Sequence, residues 1–375
     1  METSETKHQK PLNIFIVGYY GFKNAGDELL LKKTICLLKD QYLTPKICAI
    51  YKAPHEINKE TAHFSFNTKN PPYKNSDLFG EITLCPRNSY ITVIKSLFLA
   101  DILIFGGGGL LQDKTSKRSL IYYLKFLLFA LIFRKKIYLI AQGLGPFKSR
   151  ISKWLIANLL KRTTGISVRD KTSYKISKIF APNANIILTS DLAYYKAVTS
   201  EEESLNQPSI GLSLRGSGLN QSIIDALTTF AATSNETLVF LDFQQVFDSK
   251  KIHTIEPLSK YIKNTISMND YFINQQDSQI SFNIVIGMRY HACVWASLHF
   301  IPFLALAYDP KVKSLAKELG QEYIDLTNSE IAIPKNLILK KFNTIKKNHS
   351  HYKTKLKDIT PTIIERANSN SKIFS

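Results

Sequence analysis

The strongest constraint on the fold is a rhythm of short apolar runs alternating with helical patterns. NIFIVG (Asn13–Gly18) reads as a buried strand, and a helix is expected from about Asp27 to Lys39. ICAIY (Ile47–Tyr51), DILIF (Asp101–Phe105), KIYLIAQ (Lys136–Gln142), GISVRD (Gly165–Asp170) and IILTSDLA (Ile186–Ala193) continue the series. This alternation signals parallel α/β architecture. The polar, acidic segment VTSEEESLNQP (Val198–Pro208) then interrupts it, and the rhythm restarts. Its second half has SIGLSLR (Ser209–Arg215), TLVFLDF (Thr237–Phe243), FNIVIG (Phe282–Gly287) and PFLALAY (Pro302–Tyr308). A helix after Asp309-Pro310 is expected to stop near Gly320. The expectation is an α/β protein of two Rossmann-like domains facing a cleft. The domains are expected at 1–197 and 209–333, with a linker at 198–208 and a basic, helical, end-frayed tail at 334–375. Strand C-termini and helix N-termini should converge on the cleft.

With 375 residues and 44% hydrophobic content, the chain can bury enough apolar surface to exclude disorder as its main state. Its 49 Lys+Arg against 30 Asp+Glu give a formal charge of +19, which favours an anionic partner. Four irregularly spaced cysteines, Cys36, Cys48, Cys85 and Cys293, contain no C-x-x-C pair and suit a reducing compartment. The polar N-terminus runs straight into a strand, with no secretory signal visible, so a cytoplasmic location is expected. The greasiest stretch, Ser119–Phe133, is interrupted by Lys125 and falls short of the roughly 20 residues needed to cross a bilayer. Two readings follow. It is a buried crossover helix, or it rests on a membrane surface with Arg134, Lys135 and Lys136 toward anionic headgroups.

Several strand exits carry chemistry. GYYGFKNAGDELLL (Gly18–Leu31) combines glycines with Asn24 and Asp27, which suit a helix cap, and it can present backbone N–H groups to an anion or a sugar hydroxyl. It fits neither the P-loop nor the G-x-G-x-x-G pattern. In DILIFGGGGLLQDKTSKRSLIYYL (Asp101–Leu124), four glycines in a row point to a close backbone approach, and Gln112, Asp113, Thr115, Ser116 and Arg118 add a polar set. AQGLGPF and SVRD follow later strands, and Arg169 of the latter suits a structural ion pair with Asp170 or a helix end. In the second half, LSLRGSG presents Arg215 beside two glycines and GMRYHACVWASL presents Arg289 and His291. In extended backbone residues i and i+2 point the same way, so Arg289 and His291 are expected to face the cleft together. An arginine fork grips carboxylate or phosphate, and histidine transfers protons near neutral pH. The remaining histidines form no metal-ligand spacing.

These motifs, in this order, resemble the polysaccharide pyruvyl transferase family, particularly its branch that modifies bacterial secondary cell-wall polysaccharides. The similarity runs from roughly Asn13 to Gly320. It implies a two-domain fold like that of GT-B glycosyltransferases. It also implies transfer of the carboxyvinyl part of phosphoenolpyruvate to two hydroxyls of a cell-surface glycan, giving a cyclic ketal and phosphate. By resemblance, Arg215 and Arg289 bind phosphoenolpyruvate and His291 is the acid. Asn24, Gly26, Asp27, Gly107, Gly108, Gln112 and Asp113 then lie on the acceptor side, with Asp27 or Asp113 as base. The scheme requires no cofactor and no metal. Its partners are phosphoenolpyruvate, a glycan acceptor carried on a lipid, and an anionic membrane surface at the inner face of the plasma membrane; no nucleic acid is expected. Lys23 departs from the family pattern, standing where glycine is usual.

Two alternatives compete. One is a GT-B glycosyltransferase using a nucleotide sugar, for which Glu322 and Glu330 supply an E-x7-E spacing. The other is a non-catalytic protein that binds membranes or polyanions through its charge.

Overall fold

The computed structural model describes residues 11–52, 82–113, 116–200, 209–244, 256–274, 282–328 and 332–375. Thr115, Glu330 and most of the expected linker, 201–208, lie outside the described residues. The contacts divide the chain into two compact units.

The first unit comprises Met1–Gly21, Leu30–Leu192 and Ser369–Ser375. Its parallel sheet has the order β3-β2-β1-β4-β6-β7-β8, with β5 paired to β6. The strands are β1 (Asn13–Val17), β2 (Lys46–Tyr51), β3 (Ile82–Pro86), β4 (Ile102–Phe105), β5 (Gly108–Leu111), β6 (Lys136–Leu144), β7 (Gly165–Val168) and β8 (Ile186–Leu188). Helix α1 (Ala25–Gln41) follows β1; its first turn belongs to the second unit. Helices α2 (Tyr90–Leu99), α3 (Lys117–Ile132), α4 (Arg150–Leu160) and α5 (Lys171–Phe180) connect the later strands. The greasy stretch forms a crossover helix that is only partly covered: α3 buries Leu120, Tyr123, Leu124, Phe126, Leu127 and Ala130 and leaves Ile121, Leu128 and Ile132 exposed. No helix among the described residues is long and apolar enough to cross a membrane.

The second unit comprises Phe22–Leu29 and Ala193–Asn368. Its sheet is also parallel, with the order β11-β10-β9-β12-β13-β14. The strands are β9 (Ser209–Ser213), β10 (Thr237–Asp242), β11 (Ile262–Ser267), β12 (Ile284–Gly287), β13 (Phe303–Ala307) and β14 (Glu322–Asp325). Helices α6 (Gln221–Thr233), α7 (Glu256–Ser259), α8 (Met268–Asn274), α9 (Tyr290–Leu298) and α10 (Pro310–Glu318) intervene, and α11 (Leu337–Lys347) and α12 (His349–Asn368) follow. Helix α10 opens on an Asp309 cap with Pro310 at its start, and Gly320 just beyond its end has φ +63°. In both sheets the chain first winds outward, then returns to the far side of its starting strand. A switch point therefore lies at β1/β4 in one and at β9/β12 in the other.

The units depart from the expected linear boundaries at three places, the first being that the second unit begins at Ala193 and so takes in residues 193–197. Residues 22–29 pack with the second unit because Ala25 N–H donates to the Phe243 carbonyl at 2.9 Å. The tail is not a frayed appendage. Phe342 of α11 meets Phe230 at 4.9 Å between ring centroids, which seats the helix on the second core. The last turn belongs to the first unit, where buried Asn370 accepts hydrogen bonds from Ser167 (2.6 Å) and Thr189 (3.0 Å). Ile373 fills the space beside Gly165 that a side chain there would need.

Asp113 caps α4 from a distance. Its Oδ1 accepts from Lys148 N–H at 2.6 Å and its Oδ2 from Ser149 N–H at 2.9 Å, satisfying free amides at that helix start. Burial pushes the carboxyl up, but those amides and the Ser152 hydroxyl outweigh it and hold the group below the usual carboxylate range. We predict that Asp113→Ala lowers unfolding free energy by about 1–2 kcal/mol. A carboxyl whose pKa is depressed in the folded state stabilises above its unfolded pKa of about 3.9 and loses that contribution as pH falls through the folded value. Denaturant titrations at pH 7 and pH 3 should therefore show the wild-type advantage shrinking at the lower pH.

Candidate functional site

The second sheet positions two arginines by register. In the parallel pair β9–β12, Ser213 lies opposite Gly287. Arg215 and Arg289 each stand two residues beyond that pair, at the carboxyl ends of the two strands flanking the switch point. The two exits are tied together: Met288 N–H donates to the Ser213 carbonyl at 2.7 Å, and Arg215 N–H points to the Met288 sulfur at 3.3 Å. The Arg215 guanidinium lies 4.8 Å from the centre of the Tyr308 ring, a cation–π contact that limits where the fork can swing. Arg289 Nη2 donates to Gln244 Oε1 at 2.7 Å. Gln244 is itself buried, and its N–H donates to Asp242 Oδ1 at 3.0 Å.

Arg289 precedes α9 as its cap residue with extended backbone, and His291 is the second residue of that helix. The strand-alternation argument for the pair therefore does not apply, because β12 has already ended at Gly287. The helix start brings His291 elsewhere, onto Gly26. A Cβ added at Gly26 would lie 1.9 Å from His291 Nδ1, so only glycine leaves room for the imidazole there.

The loop before α1 completes the cluster. Asn24 bridges to Gln244 in antiparallel fashion, and its Oδ1 accepts from Gly26 N–H at 3.3 Å, the expected cap at the start of α1. Asn24 Nδ2 donates to Asp27 Oδ2 at 2.5 Å. Lys23 adopts φ +53°. Glycine visits this left-handed region freely, whereas a lysine there costs about 1–2 kcal/mol. The loop thus keeps a conformation that glycine favours despite the substitution.

Five of the expected site residues therefore come together in the second unit: Asn24, Gly26, Asp27, Arg289 and His291. Arg215 stands on the neighbouring strand end. Gly107, Gly108, Gln112 and Asp113 lie in the first unit. There the glycine run has packing reasons: a Cβ on Gly106 would strike the Tyr20 hydroxyl at 2.0 Å, and one on Gly107 would press on Leu30 at 3.1 Å. Gly108 begins β5 at φ +122° and pairs with Gln142, while half-buried Gln112 directly follows β5. Both oxygens of Asp113 are engaged with backbone amides, and Asp27 is held by the Asn24 side chain. Arg169 is the structural cation expected, but its close partner is Asp191 at 2.6 Å, with Asp170 at 3.9 Å. Asp170 instead caps α5 through Ser173 N–H at 2.8 Å.

Gln244 and Tyr308 carry no local sequence signal. Neither lies in a glycine-rich motif, and only their positions just after β10 and β13 place them beside the arginines. Glu322 is held by structural partners. Its two oxygens accept from Lys341 Nζ and the Tyr352 hydroxyl, both at 2.7 Å.

Alanine in place of a helical glycine normally stabilises by about 0.5–1 kcal/mol. At Gly26 the imidazole occupies the methyl's place, so Gly26→Ala is predicted to bring no gain in stability. It should also displace the His291 ring, read as a shift of that histidine's NMR resonances with helix content unchanged by circular dichroism.

Comparison with known proteins bears on the whole arrangement. No curated protein matches the chain. Among solved structures, a putative UDP-N-acetylglucosamine 2-epimerase from Listeria monocytogenes superposes with a TM-score of 0.58 at 12% identity, covering 97% of this chain and 94% of that one. The UDP-GlcNAc 2-epimerase from Neisseria meningitidis bound to UDP-GlcNAc gives 0.57 at 11% identity, covering 97% and 98%. The S. aureus MnaA–UDP co-structure gives 0.59 at 11% identity, covering 96% and 94%. At such identities these likenesses speak for the fold alone, and they bear out the GT-B-like, two-domain α/β architecture. The sequence profile of the polysaccharide pyruvyl transferase family matches residues 24–310, from the capping Asn24 through the β9 and β12 exits to the start of α10, and the chain belongs to that family.

Proposed function

We propose that the protein transfers the pyruvyl group of phosphoenolpyruvate to two hydroxyls of a bacterial cell-surface glycan, forming a cyclic ketal and releasing phosphate. The acceptor in this reading is carried on a lipid, and the enzyme works at the inner face of the plasma membrane. The observation that carries the proposal is the pair of arginines at one switch point, next to a histidine seated on a helix-capping loop. Phosphoenolpyruvate carries a carboxylate and a phosphate, and two guanidinium forks can bind both while fixing the enol carbons between them. The start of α9 adds its own partial positive charge for the anion.

In this mechanism His291 gives a proton to C3 of the enol, and C2 becomes an oxocarbenium-like electrophile. The first sugar hydroxyl attacks C2 and surrenders its proton to Asp27. The C2–O bond to phosphate breaks, and the second hydroxyl closes the ring on C2. Two hydroxyl protons are released in all; one replaces that delivered to C3 and the other leaves with phosphate. Arg215 and Arg289 hold the departing phosphate, while Gln244 and Tyr308 position the two guanidinium groups.

The proposal is tested by offering phosphoenolpyruvate with lipid-linked glycans and following phosphate release together with the ketal methyl signal by NMR. His291→Ala is expected to lower turnover at least about 100-fold with the fold retained. Near-wild-type turnover in that variant would remove His291 from the acid role. The fold neighbours include proteins in complex with UDP or UDP-GlcNAc, so a nucleotide-sugar donor is the competing reading. Release of a nucleoside diphosphate, with no phosphate from phosphoenolpyruvate, would establish it instead.

A further inference from the structure

The +19 charge is not spread evenly. Between Asp113 and Asp170 the sequence has thirteen Lys/Arg and no acidic residue. Three tail lysines, by contrast, have acidic partners: Lys341 with Glu322 at 2.7 Å, Lys346 with Glu236 at 2.7 Å and Lys335 with Asp225 at 3.8 Å. The uncompensated charge therefore belongs to the first unit, on the segment that forms α3 and α4.

Right-handed crossovers from β3 to β4, then to β6 and β7, place α2, α3 and α4 on one face of the first sheet. Helix α3 packs between the other two, with Phe98 of α2 edge-on to Phe133 at 5.3 Å. The sheet side of each helix is buried as expected, but the outward side is also apolar. Ten of the thirteen exposed large hydrophobic side chains among the described residues come from these three helices. On α3 the outward stripe reads Arg118, Ile121, Lys125, Leu128 and Ile132, at helical spacing. Alongside it stand Ile91 (83% exposed) and Phe98 (59%) on α2 and Trp154 (66%) on α4. Single exposed hydrophobics are ordinary; this many on one face mark an interaction surface.

We propose that this outward face of α2, α3 and α4 docks onto an anionic lipid bilayer. The helices lie flat, Trp154, Phe98 and the aliphatic side chains enter the headgroup boundary, and Arg118, Lys125, Arg134 and Lys153 extend to lipid phosphates. Charge selects this occupant over a second copy of the chain. Isologous pairing would set the acid-free basic face against itself. The inference rests on the first unit alone and is independent of the donor chemistry proposed for the second.

Trp154 reports on the contact directly, because the only other tryptophan, Trp295, is 2% exposed. With the full chain and vesicles of phosphatidylcholine containing phosphatidylglycerol, tryptophan emission should shift to the blue and be quenched by brominated lipid. Vesicles of phosphatidylcholine alone should have no such effect. Leu128→Ser with Ile132→Ser, or Arg118→Glu with Lys125→Glu, changes only exposed positions and should weaken vesicle partitioning about tenfold or more. His291→Ala should bind vesicles like the wild type. Equal binding to neutral vesicles, unaltered partitioning of both face variants, or vesicle binding without a change at Trp154 would overturn the proposal. So would lipid-free self-association that the Leu128→Ser/Ile132→Ser variant abolishes, since the face would then be an interface between copies.

Discussion

The pairing of β9 with β12 is the constraint on which the candidate site depends. Because Ser213 sits opposite Gly287, the same two-residue step carries each chain from the sheet to an arginine. The strands are buried throughout their common length, so a slip in register would turn apolar side chains out of the core as well as separating the two cations. Stability of the core and placement of the site are therefore one requirement. Met288, between Gly287 and Arg289, serves both, since its N–H closes on the Ser213 carbonyl and its sulfur meets Arg215 N–H.

Around that pair, side chains from distant parts of the sequence restrict the cations further. Gln244 links the Arg289 fork to the loop of Asn24, and Tyr308 lies against the Arg215 fork. Gly26 matters for what it lacks, because any side chain there would take the place of the His291 ring. The result is a group of donors and acceptors fixed by backbone pairing and buried polar contacts. Such fixing is what binding a small dianion in one orientation requires.

Much of the fold was legible in the sequence because both sheets are parallel and buried. Continuous apolar runs such as NIFIVG and PFLALAY announce their strands, and Pro310 with Gly320 brackets α10. β11 was not legible: IKNTIS at the sheet edge is largely polar and half exposed, so it carries no apolar run. β5 was hidden in the glycine run, which reads as a loop until Gly108 and Leu111 are seen paired with β6. The candidate site divides in the same way. Arg215, Arg289, His291 and Asn24 stand in motifs at strand exits and could be named. The contact of Gly26 with His291, and the clamps from Gln244 and Tyr308, depend on long-range packing that no local spacing records. The excess charge alone pointed only to some anion. The structure separates Arg215 and Arg289 at the end of one sheet from an acid-free segment on the face of the other.

In the proposed function Arg215 and Arg289 form one binding site for a small dianion. Calorimetric titration with phosphoenolpyruvate tests it most directly. The wild type should bind, and Arg215→Ala and Arg289→Ala should each lose tenfold or more in affinity, as expected when a charge-assisted contact is removed. Undiminished affinity in both variants, or no binding by the wild type, would contradict it.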